Sequence, residues 1–300
     1  MGRWGAAEVA GERRRLINVA YRLLGSLAEA EDAVQEAYAR WYAQPRSKRE
    51  AVASPGAWLT TVTGRICLDV LGSARARRER YVGAWLPEPL PDRSEWARGG
   101  DAADPADQIA LDESVTMAFL VVLESMTPAE RVAFVLHDVF RYPFPEIAGI
   151  VGRTPGACRE LASSARRRVR AAHAPVAAAA GQAEVVRRVK EAWEAKDIAA
   201  LVGLLDPDAV MTADGGGLVG AVPHPVEGGA RIAQYMIAIA GKAPGLRLLE
   251  RSVAGAPGLV AQRAGVTVTV AAFGVSAGRA SRIWVVRNPE KLRLWTPDEP

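Results

Sequence analysis

Arginine side chains are concentrated in one segment, residues 154–170, at a spacing suited to DNA recognition. Arg159 stands near the start of a predicted helix, where a guanidinium can donate two hydrogen bonds to a guanine edge. Arg166 and Arg167 follow two turns later and can contact phosphate, which makes binding depend on salt. The same outer face carries further polar side chains: Glu160, Ser163 and Ser164. The pattern predicts a helix that enters the major groove, and a solvated basic helix end is the alternative.

A tight turn before that segment completes a helix-turn-helix pattern. Ile147, Ala148 and Ile150 give a short helix an apolar face, and Gly152 ends it. Thr154-Pro155 then supplies an N-cap and a first-turn proline for the arginine-bearing helix. A helix, a glycine turn and a capped helix are typical of DNA-binding domains.

The second predicted helix of the chain has an acidic and amide outer face. Its polar residues recur at helical spacing: Glu29, Asp32, Gln35 and Glu36. A charged helix face is usually just solvated. The residues alone therefore leave a partner surface and an ordinary wet surface both open.

A basic loop precedes the third predicted helix. Lys48 and Arg49 form this loop, and Thr61, Arg65 and Asp69 point outward from the helix that follows. Polar groups beside a basic loop can hold the unstacked bases of a single strand. A solvated surface is again the alternative.

Residue types suited to catalysis or metal binding do not occur at useful spacings. Cys67 and Cys158 lie on apolar helix faces, so we expect them to be buried and inert. The three histidines are scattered, which excludes a zinc pattern. Asp214-Gly-Gly-Gly217 lacks the Lys-Ser/Thr of a phosphate-binding P-loop. We expect no catalytic residue, no metal and no cofactor.

Length and composition place these features in a multidomain globular protein. The 300 residues suit two or three domains, and 49% hydrophobic with 24% charged residues excludes a disordered chain. No apolar stretch approaches the roughly 18 residues of a membrane span, so a cytoplasmic location is expected. Residues 101–150 hold 9 acidic and 2 basic side chains, whereas residues 151–173 hold 6 arginines and one glutamate. That asymmetry favours a face that binds a polyanion.

Three helices are predicted in the first 80 residues. The first ends at Gly25, the second begins with the capping box Ser26–Glu29, and the third begins at Ser54-Pro55. A polar stretch, residues 46–50, is expected to separate the second helix from the third. A further capping box, Thr127–Glu130, begins the helices that lead to the helix-turn-helix.

Residues 82–113 are predicted to be an extended linker. Its prolines remove backbone donors and fix an extended path. Part of it is nevertheless apolar, namely Trp85, Leu86, Pro87, Glu88, Pro89 and Leu90. Such a segment either lies on a surface of the protein or is an ordinary connection between domains.

The chain changes character after an alanine-rich second linker at residues 175–181. Helices are predicted near residues 184–195 and 230–240. Strand-like runs follow at residues 246–253, 259–263, 266–273 and 281–287. Helices followed by an antiparallel meander indicate an α+β domain.

Several motifs occurring in order resemble the extracytoplasmic-function sigma factors of bacteria. The matching segments are Ala30–Glu36 with Trp41, Pro55–Asp69, Leu123–Arg131, Phe144–Ala148 and Gly152–Arg159. Three more segments resemble the Sigma J type, which carries a C-terminal SnoaL-like domain. These are Trp85–Leu90, then Asp214, Gly215, Gly216 and Gly217, and finally Asn288, Pro289, Glu290, Lys291 and Leu292.

The resemblance implies two all-α sigma domains, the second a helix-turn-helix, followed by an α+β SnoaL/NTF2-like cone. The implied bounds are region 2 at 1–81, the linker at 82–113, region 4 at 114–174, a second linker at 175–181 and a regulatory domain at 182–300. The implied activity is transcription initiation by a non-enzymatic subunit that binds core RNA polymerase and promoter DNA. The cone is expected to contact the sigma domains or the linker.

The resemblance also assigns roles to the polar residues. Asp32, Gln35, Glu36 and Trp41 match positions that bind core polymerase. Lys48, Arg49, Arg65 and Asp69 match the part that melts and reads the −10 element. The −35 element is matched to Arg159, Glu160, Ser163, Ser164, Arg166 and Arg167.

Two departures from the group's pattern affect these expectations. Leu218 follows the glycines where a basic residue is common, which puts any charge contact there in doubt. Pro143 replaces a helix-capping serine, so the next helix could start at a different residue.

Two other functions fit parts of the sequence. A polymerase-independent helix-turn-helix regulator with a ligand-sensing C-terminal domain would bind duplex DNA unaided. An enzyme carried by the cone would need a placed acid or base, and Asp214 and His224 are the candidates near each other in sequence.

Overall fold

The structure is a computed structural model that describes residues 6–78, 81, 83–91, 116–172 and 181–295. These residues form two compact units. The first unit contains residues 6–78 and 122–172, and the second contains residues 81, 83–91, 116–121 and 181–295. Most of the two predicted linkers, at residues 92–113 and 175–180, lies outside the described residues.

Helices build the first unit. They are α1 (Ala6–Gly11), α2 (Arg13–Leu24), α3 (Leu27–Ala43), α4 (Arg46–Ala51), α5 (Pro55–Arg78), part of α6 (Met117–Glu124), α7 (Pro128–Phe134), α8 (Phe144–Val151) and α9 (Pro155–Ala171). A π-helical turn, Val135–Val139, continues α7.

The predicted helix ends of this unit follow from their capping residues. Gly25 and Gly152 end α2 and α8 in the left-handed conformation that favours glycine. Thr127 and Glu130 form the predicted reciprocal capping box of α7. Pro143 offers no side-chain cap, yet α8 still begins at Phe144 because the extended Pro143 backbone presents its carbonyl to the amides of the first turn.

Residues 46–50 differ from the sequence prediction. They form most of the short helix α4 instead of an irregular break. Arg46 and Glu50 pair across one turn at 2.8 Å, the spacing at which opposite charges support a helix. The polar composition of residues 46–50 therefore corresponds to a solvent-exposed helix.

Most of both predicted helical modules lies in the first unit, although residues 116–121 of the second module belong to the second unit. The hydroxyl groups of Thr60 on α5 and Tyr142 before α8 lie 2.8 Å apart. The buried guanidinium of Arg131 donates to the Leu23 carbonyl at 2.9 Å. Polar groups that are buried between packed helices need such partners, and these bonds join the modules.

The second unit is built around a six-stranded sheet. Its strands are β1 (Leu205–Asp214), β2 (Val226–Glu227), β3 (Leu246–Val253), β4 (Ala256–Arg263), β5 (Val266–Ser276) and β6 (Arg279–Val286). Their order is β2-β1-β6-β5-β4-β3, with β1 and β6 parallel and the other neighbours antiparallel. The helices are α10 (Gln182–Glu194), α11 (Ile198–Leu204) and α12 (Gly229–Lys242).

Each face of this sheet has its own apolar cluster, because successive strand residues point to opposite sides. Leu259, Phe273 and Ile283 pack with α10, α11 and α12, and we call this side the helix face. The opposite side, which we call the strap face, consists of Val260, Val270, Ala272, Trp284 and Val286. Among the described residues, no helix is both long enough and apolar enough to cross a bilayer.

Candidate nucleic-acid interface and linker seat

Helix α9 presents the predicted −35 residues on its outer side. Thr154 caps the helix by accepting a hydrogen bond from the Ala157 amide at 3.1 Å. Its inner side is apolar and buried, formed by Cys158, Ala162 and Ala165. The predicted −35 residues lie on the remaining surface, with Arg159, Glu160 and Arg167 exposed and Ser163, Ser164 and Arg166 half-buried.

The arginines of α9 differ in their partners. Arg166 donates to the Asp138 carboxylate at 2.7 Å, so a neighbouring acid already balances its charge. Arg159 lies over the Phe144 ring, 5.4 Å from its centre, and Arg167 bonds only weakly to Ser163 at 3.4 Å. Among the three predicted −35 arginines, the exposed guanidinium groups of Arg159 and Arg167 are therefore more accessible to a polyanion than that of Arg166.

Ser164 takes part in the internal packing of this domain. Burial opposes the ionisation of Glu130, but hydrogen bonds from Thr127 and Ser164 outweigh it and lower the pKa of that carboxyl group. Ser164 thus serves the capping box of α7, which reduces its availability to DNA.

The acidic face of α3 is open to solvent. Asp32, Gln35 and Glu36 are exposed, and Glu36 pairs with Arg40 at 2.8 Å. Trp41 is only 2% exposed, and its ring lies 5.1 Å from that of Trp58. The structure therefore presents three of the four predicted polymerase-binding residues and places Trp41 in the core beneath them.

The predicted −10 residues have unequal environments. Lys48 and Asp69 are exposed, whereas Arg49 is half-buried beside the Tyr42 ring. Arg65 donates two hydrogen bonds to the Gly149 carbonyl, at 2.8 and 3.2 Å, and so is engaged by α8. The guanidinium that was predicted to meet the −10 element is held within the first unit.

The apolar part of the first linker lies against the strap face of the second unit. We call residues 85–91 the strap, and its residues from Leu86 to Pro91 are all buried. Leu86 packs in one cluster with Trp284 and Trp295. Of the two sequence interpretations, the surface-bound segment is the one that this unit displays.

A buried carboxylate organises the surface that holds the strap. Asp214, at the end of β1, is 0% exposed. Its oxygens accept hydrogen bonds from the Tyr81 hydroxyl at 2.6 Å, the Leu86 amide at 2.9 Å and the Gly216 amide at 3.0 Å. Lys291 completes the set, with its ammonium 2.7 Å from the same carboxylate. A buried charge is tolerated only when it is paired in this way.

Lys291 also binds the strap directly. Its ammonium donates to the Leu86 carbonyl and lies 4.1 Å from the centre of the Trp85 ring. One cation thus contacts the strap backbone, an aromatic face and Asp214 together. Its cation–π contact is strengthened by the loss of water around it.

The prolines of the strap suit a buried backbone, because they have no amide that needs an acceptor. The carbonyl groups do find donors. Trp295 donates its indole N–H to Pro89 at 2.6 Å, and the Ala254 amide donates to Leu90 at 2.8 Å. Pro91 forms a short antiparallel bridge with Val253.

The glycines after Asp214 are required by backbone geometry. Gly216 and Gly217 have φ values of 66° and 72°, which L side chains rarely adopt. A Cβ on Gly216 would lie 2.6 Å from the Asn288 side chain, and one on Gly215 would lie 2.4 Å from the Val219 carbonyl oxygen. Leu218 is 62% exposed, so this position makes no buried contact.

Asn288 positions the Lys291 turn. Its side-chain oxygen accepts from the Glu290 amide at 3.0 Å, and its side-chain nitrogen donates to the Tyr81 hydroxyl at 3.0 Å. Burial and the hydrogen bond to Asp214 both raise the pKa of Tyr81 above its usual value. We call Asp214–Gly217, Asn288–Leu292 and Trp295 the linker seat.

Three contacts of this site were not predicted from the sequence, namely Tyr81, Ala254 and Trp295. Tyr81 and Trp295 are aromatic residues next to predicted motifs, which was an available signal. Ala254 contributes only its backbone amide, so its residue type carried no signal.

The helix face of the sheet lines a partly open cavity of about 160 Å³. It is lined mainly by apolar side chains of the strands and of α12. Neither Asp214 nor His224, the acid and base candidates of the sequence, is among the residues that line it.

Comparisons with known proteins match this arrangement. Family models for Sigma-70 region 2 and Sigma-70 region 4 match residues 9–78 and 116–169. The ECF RNA polymerase sigma factor SigJ of Mycobacterium tuberculosis is 39% identical over 293 residues, which cover 93% of this chain and 90% of the relative. The probable ECF sigma factor SigI of the same species is 34% identical, with 93% and 92% covered.

A solved structure agrees over nearly the whole chain. The crystal structure of the Mycobacterium tuberculosis extracytoplasmic function sigma factor SigJ has a TM-score of 0.74 and 34% identity, covering 98% of this chain and all of that one. The predicted fold class is confirmed as two all-α sigma domains followed by a C-terminal α+β domain. The chain therefore belongs to the extracytoplasmic-function RNA polymerase sigma factors.

Proposed function

We propose that this sigma factor binds promoter DNA only as part of an RNA polymerase holoenzyme and that its C-terminal domain regulates it by capturing the linker. The observation that carries this proposal is the buried strap, whose backbone and apolar side chains are held by the linker seat. The proposed domain bounds are those expected from the sequence, with region 2 at 1–81, region 4 at 114–174 and the regulatory domain at 182–300.

The acidic face of α3 is the proposed polymerase-binding surface. Asp32, Gln35 and Glu36 are exposed on one side of this helix, so a basic partner can reach them without any change in the domain. Trp41 supports the helix from below. Charges at the edge of such an interface chiefly control encounter and specificity.

The proposed −10 site requires an opening step. Lys48 and Asp69 are accessible, but Arg65 is bonded to Gly149. We propose that polymerase binding separates α5 from α8 and frees Arg65 for the melted strand. Opening this contact would break the two Arg65–Gly149 hydrogen bonds and the packing of the Ile150 side chain on Gly64, so polymerase binding must compensate for both losses.

The proposed −35 site needs no such step. Arg159, Glu160 and Arg167 already face solvent on α9. Arg159 reads a base edge, whereas Arg167 contacts phosphate. Arg166 can contact DNA only after its ion pair with Asp138 breaks.

The regulatory proposal concerns the availability of the linker. A linker that runs over the polymerase must first leave the strap face. Removal of one partner of a buried ion pair is strongly destabilising. The Asp214–Lys291 pair, which contacts the Leu86 backbone, is therefore proposed to determine how tightly the strap is bound. The regulation acts inside the cytoplasm, where the polymerase works.

We propose no covalent reaction for the C-terminal domain. Both oxygens of Asp214 are committed to the linker seat, and His224 is exposed outside the cavity. The domain then acts by binding alone.

In-vitro transcription with core polymerase tests this function. The full chain should initiate at its promoter, and Lys291→Met should raise initiation about tenfold, since tenfold corresponds to only ~1.4 kcal/mol of lost capture. Lys190→Met is the matched control, because Lys190 pairs with Glu250 at an exposed site of the same unit. Unchanged or reduced initiation by a folded Lys291→Met would refute regulation, and no initiation by either chain would refute the sigma assignment.

A further inference from the structure

The cavity of the second unit has the size of a small-molecule site. Its volume is about 160 Å³. The cavity is partly open to solvent, so a ligand can enter it. An apolar cavity of about 150 Å³ can hold one benzene ring.

The walls of the cavity are apolar on nearly every side. The strands contribute small and branched side chains, among them Ala261, Ala271 and Val285, and α12 contributes Met236 and Ile239. Alanines at these sheet positions leave the space open, since larger residues would fill it. An occupant would be held mainly by burial of its hydrocarbon surface.

Two arginines interrupt this apolar lining. Arg263 on β4 and Arg287 just after β6 both line the cavity, and no acidic side chain does. Arg287 donates to the Gly220 carbonyl, and neither arginine has an acidic partner among the described residues. A guanidinium beside an apolar space is suited to binding a carboxylate with two parallel hydrogen bonds.

The remaining polar groups of the cavity are mostly committed. Trp193 donates its indole N–H to the Met236 carbonyl, and the Thr269 hydroxyl donates to Val268. The two arginines are thus the only charged side chains among the described residues that line the cavity. A cation is disfavoured in this cavity, because none of the described carboxylates lines it. A neutral hydrocarbon could fill the apolar space but would form no hydrogen bond with the guanidinium groups.

We propose that this cavity binds a small apolar carboxylate, a single ring or a short branched chain with one acid group, and that Arg287 holds the acid. Arg287 is half-buried, whereas Arg263 is exposed, so the charge of Arg287 is less screened by water. The binding requires neither the strap nor the polymerase and goes beyond the regulatory proposal above.

Calorimetric titration of the full chain tests this site. The probes are benzoate, phenylacetate and 3-phenylpropionate, each compared with its uncharged amide. At least one acid should bind with a Kd below about 1 mM and about tenfold more tightly than its amide, as expected for a charge-assisted hydrogen-bonded pair. Binding of no acid at that concentration, or equal binding of acid and amide, would overturn the proposal.

Two pairs of variants locate the binding. Ala271→Leu fills the cavity and should weaken the best acid about tenfold or more, whereas Ala230→Leu on the exposed side of α12 should not. Arg287→Gln should abolish the preference for acid over amide, whereas Arg282→Gln, an exposed arginine outside the cavity, should keep it.

A direct measurement on the unaltered protein guards against misfolded variants. Intermolecular nuclear Overhauser contacts should join the ring protons of the bound acid to methyl groups of Ala261 and Ala271. Contacts to other methyl groups only would show that the acid binds elsewhere and would refute the proposal.

Discussion

Helix α9 and the linker seat use charged residues in opposite ways. The guanidinium groups of Arg159 and Arg167 are exposed and make few internal bonds, whereas Asp214 and Lys291 are buried and contact one another and the strap. Exposed charges contribute little to stability and stay available to a partner. Buried pairs fix one arrangement, and breaking them is costly. The proposed DNA surface on α9 is therefore accessible, whereas the strap is held against the second unit.

The largest effect is expected at the buried carboxylate. Asp214→Ala leaves the Lys291 ammonium buried without its partner and should lower the free energy of unfolding of the second unit by about 3–5 kcal/mol. Urea unfolding measures the change, and hydrogen exchange at the Leu86 amide should rise with it. Glu250→Ala, which removes an exposed ion pair, should cost less than about 1 kcal/mol. Equal losses in the two variants would contradict the role given to burial.

A backbone substitution in the same seat should have the next largest effect. Gly216→Ala places a methyl group against Asn288 at a φ of 66° and should destabilise the second unit by about 2–3 kcal/mol. Thermal unfolding followed by circular dichroism reports the loss. Gly220→Ala has open space around it and no positive φ, so its Tm should stay near that of the parent chain.

Substitutions on the proposed −35 surface of α9 should change the sequence selectivity of promoter binding. Arg159→Ala should reduce the preference of the holoenzyme for its −35 sequence over scrambled DNA by about 1–3 kcal/mol. Arg167→Ala should weaken binding to both sequences alike and flatten the salt dependence, as for a phosphate contact. Competition binding at two salt concentrations separates the variants. Equal losses of Arg159→Ala on both sequences would make Arg159 a phosphate contact.

The smallest change is expected on the acidic face of α3. Asp32→Ala combined with Gln35→Ala should weaken association with core polymerase by about 1 kcal/mol while leaving the unfolding curve unchanged, because both side chains are exposed. Quantitative pull-down with core enzyme measures this loss. Glu191→Ala with Glu194→Ala, on α10, should have no effect. An unchanged pull-down of the α3 variant would exclude this surface.

Capping residues and strand-like runs made most of the fold predictable from the sequence. Gly25, Thr127 and Thr154 mark helix ends by local chemistry, which does not depend on distant parts of the chain. Strand β1 was missed because Asp206, Pro207 and Asp208 obscure its start. Strands β1 and β6 lie far apart in the sequence, so no local pattern could predict that they pair.

Most residues of the linker seat could be predicted from the sequence, but their contacts with the strap could not. Asp214, Asn288 and Lys291 were predicted by resemblance, whereas for the apolar strap the sequence left a surface-bound segment and an ordinary connection between domains both open. The contact between them joins residues more than 120 positions apart. The packing of Arg65 against Gly149 was also unpredictable, since it depends on how two helical modules meet.

Successive residues of strand β6 alternate between the cavity and the strap face, so the number of residues in the strand can change only by two without reversing this alternation. Ile283 and Val285 line the cavity, while Trp284 and Val286 lie on the strap face. Insertion or deletion of a single residue within the strand would exchange these two sets. Changes of two residues preserve the alternation, and changes at the turn of Ala277 and Gly278 leave it untouched. Length variation among related chains should therefore occur at that turn.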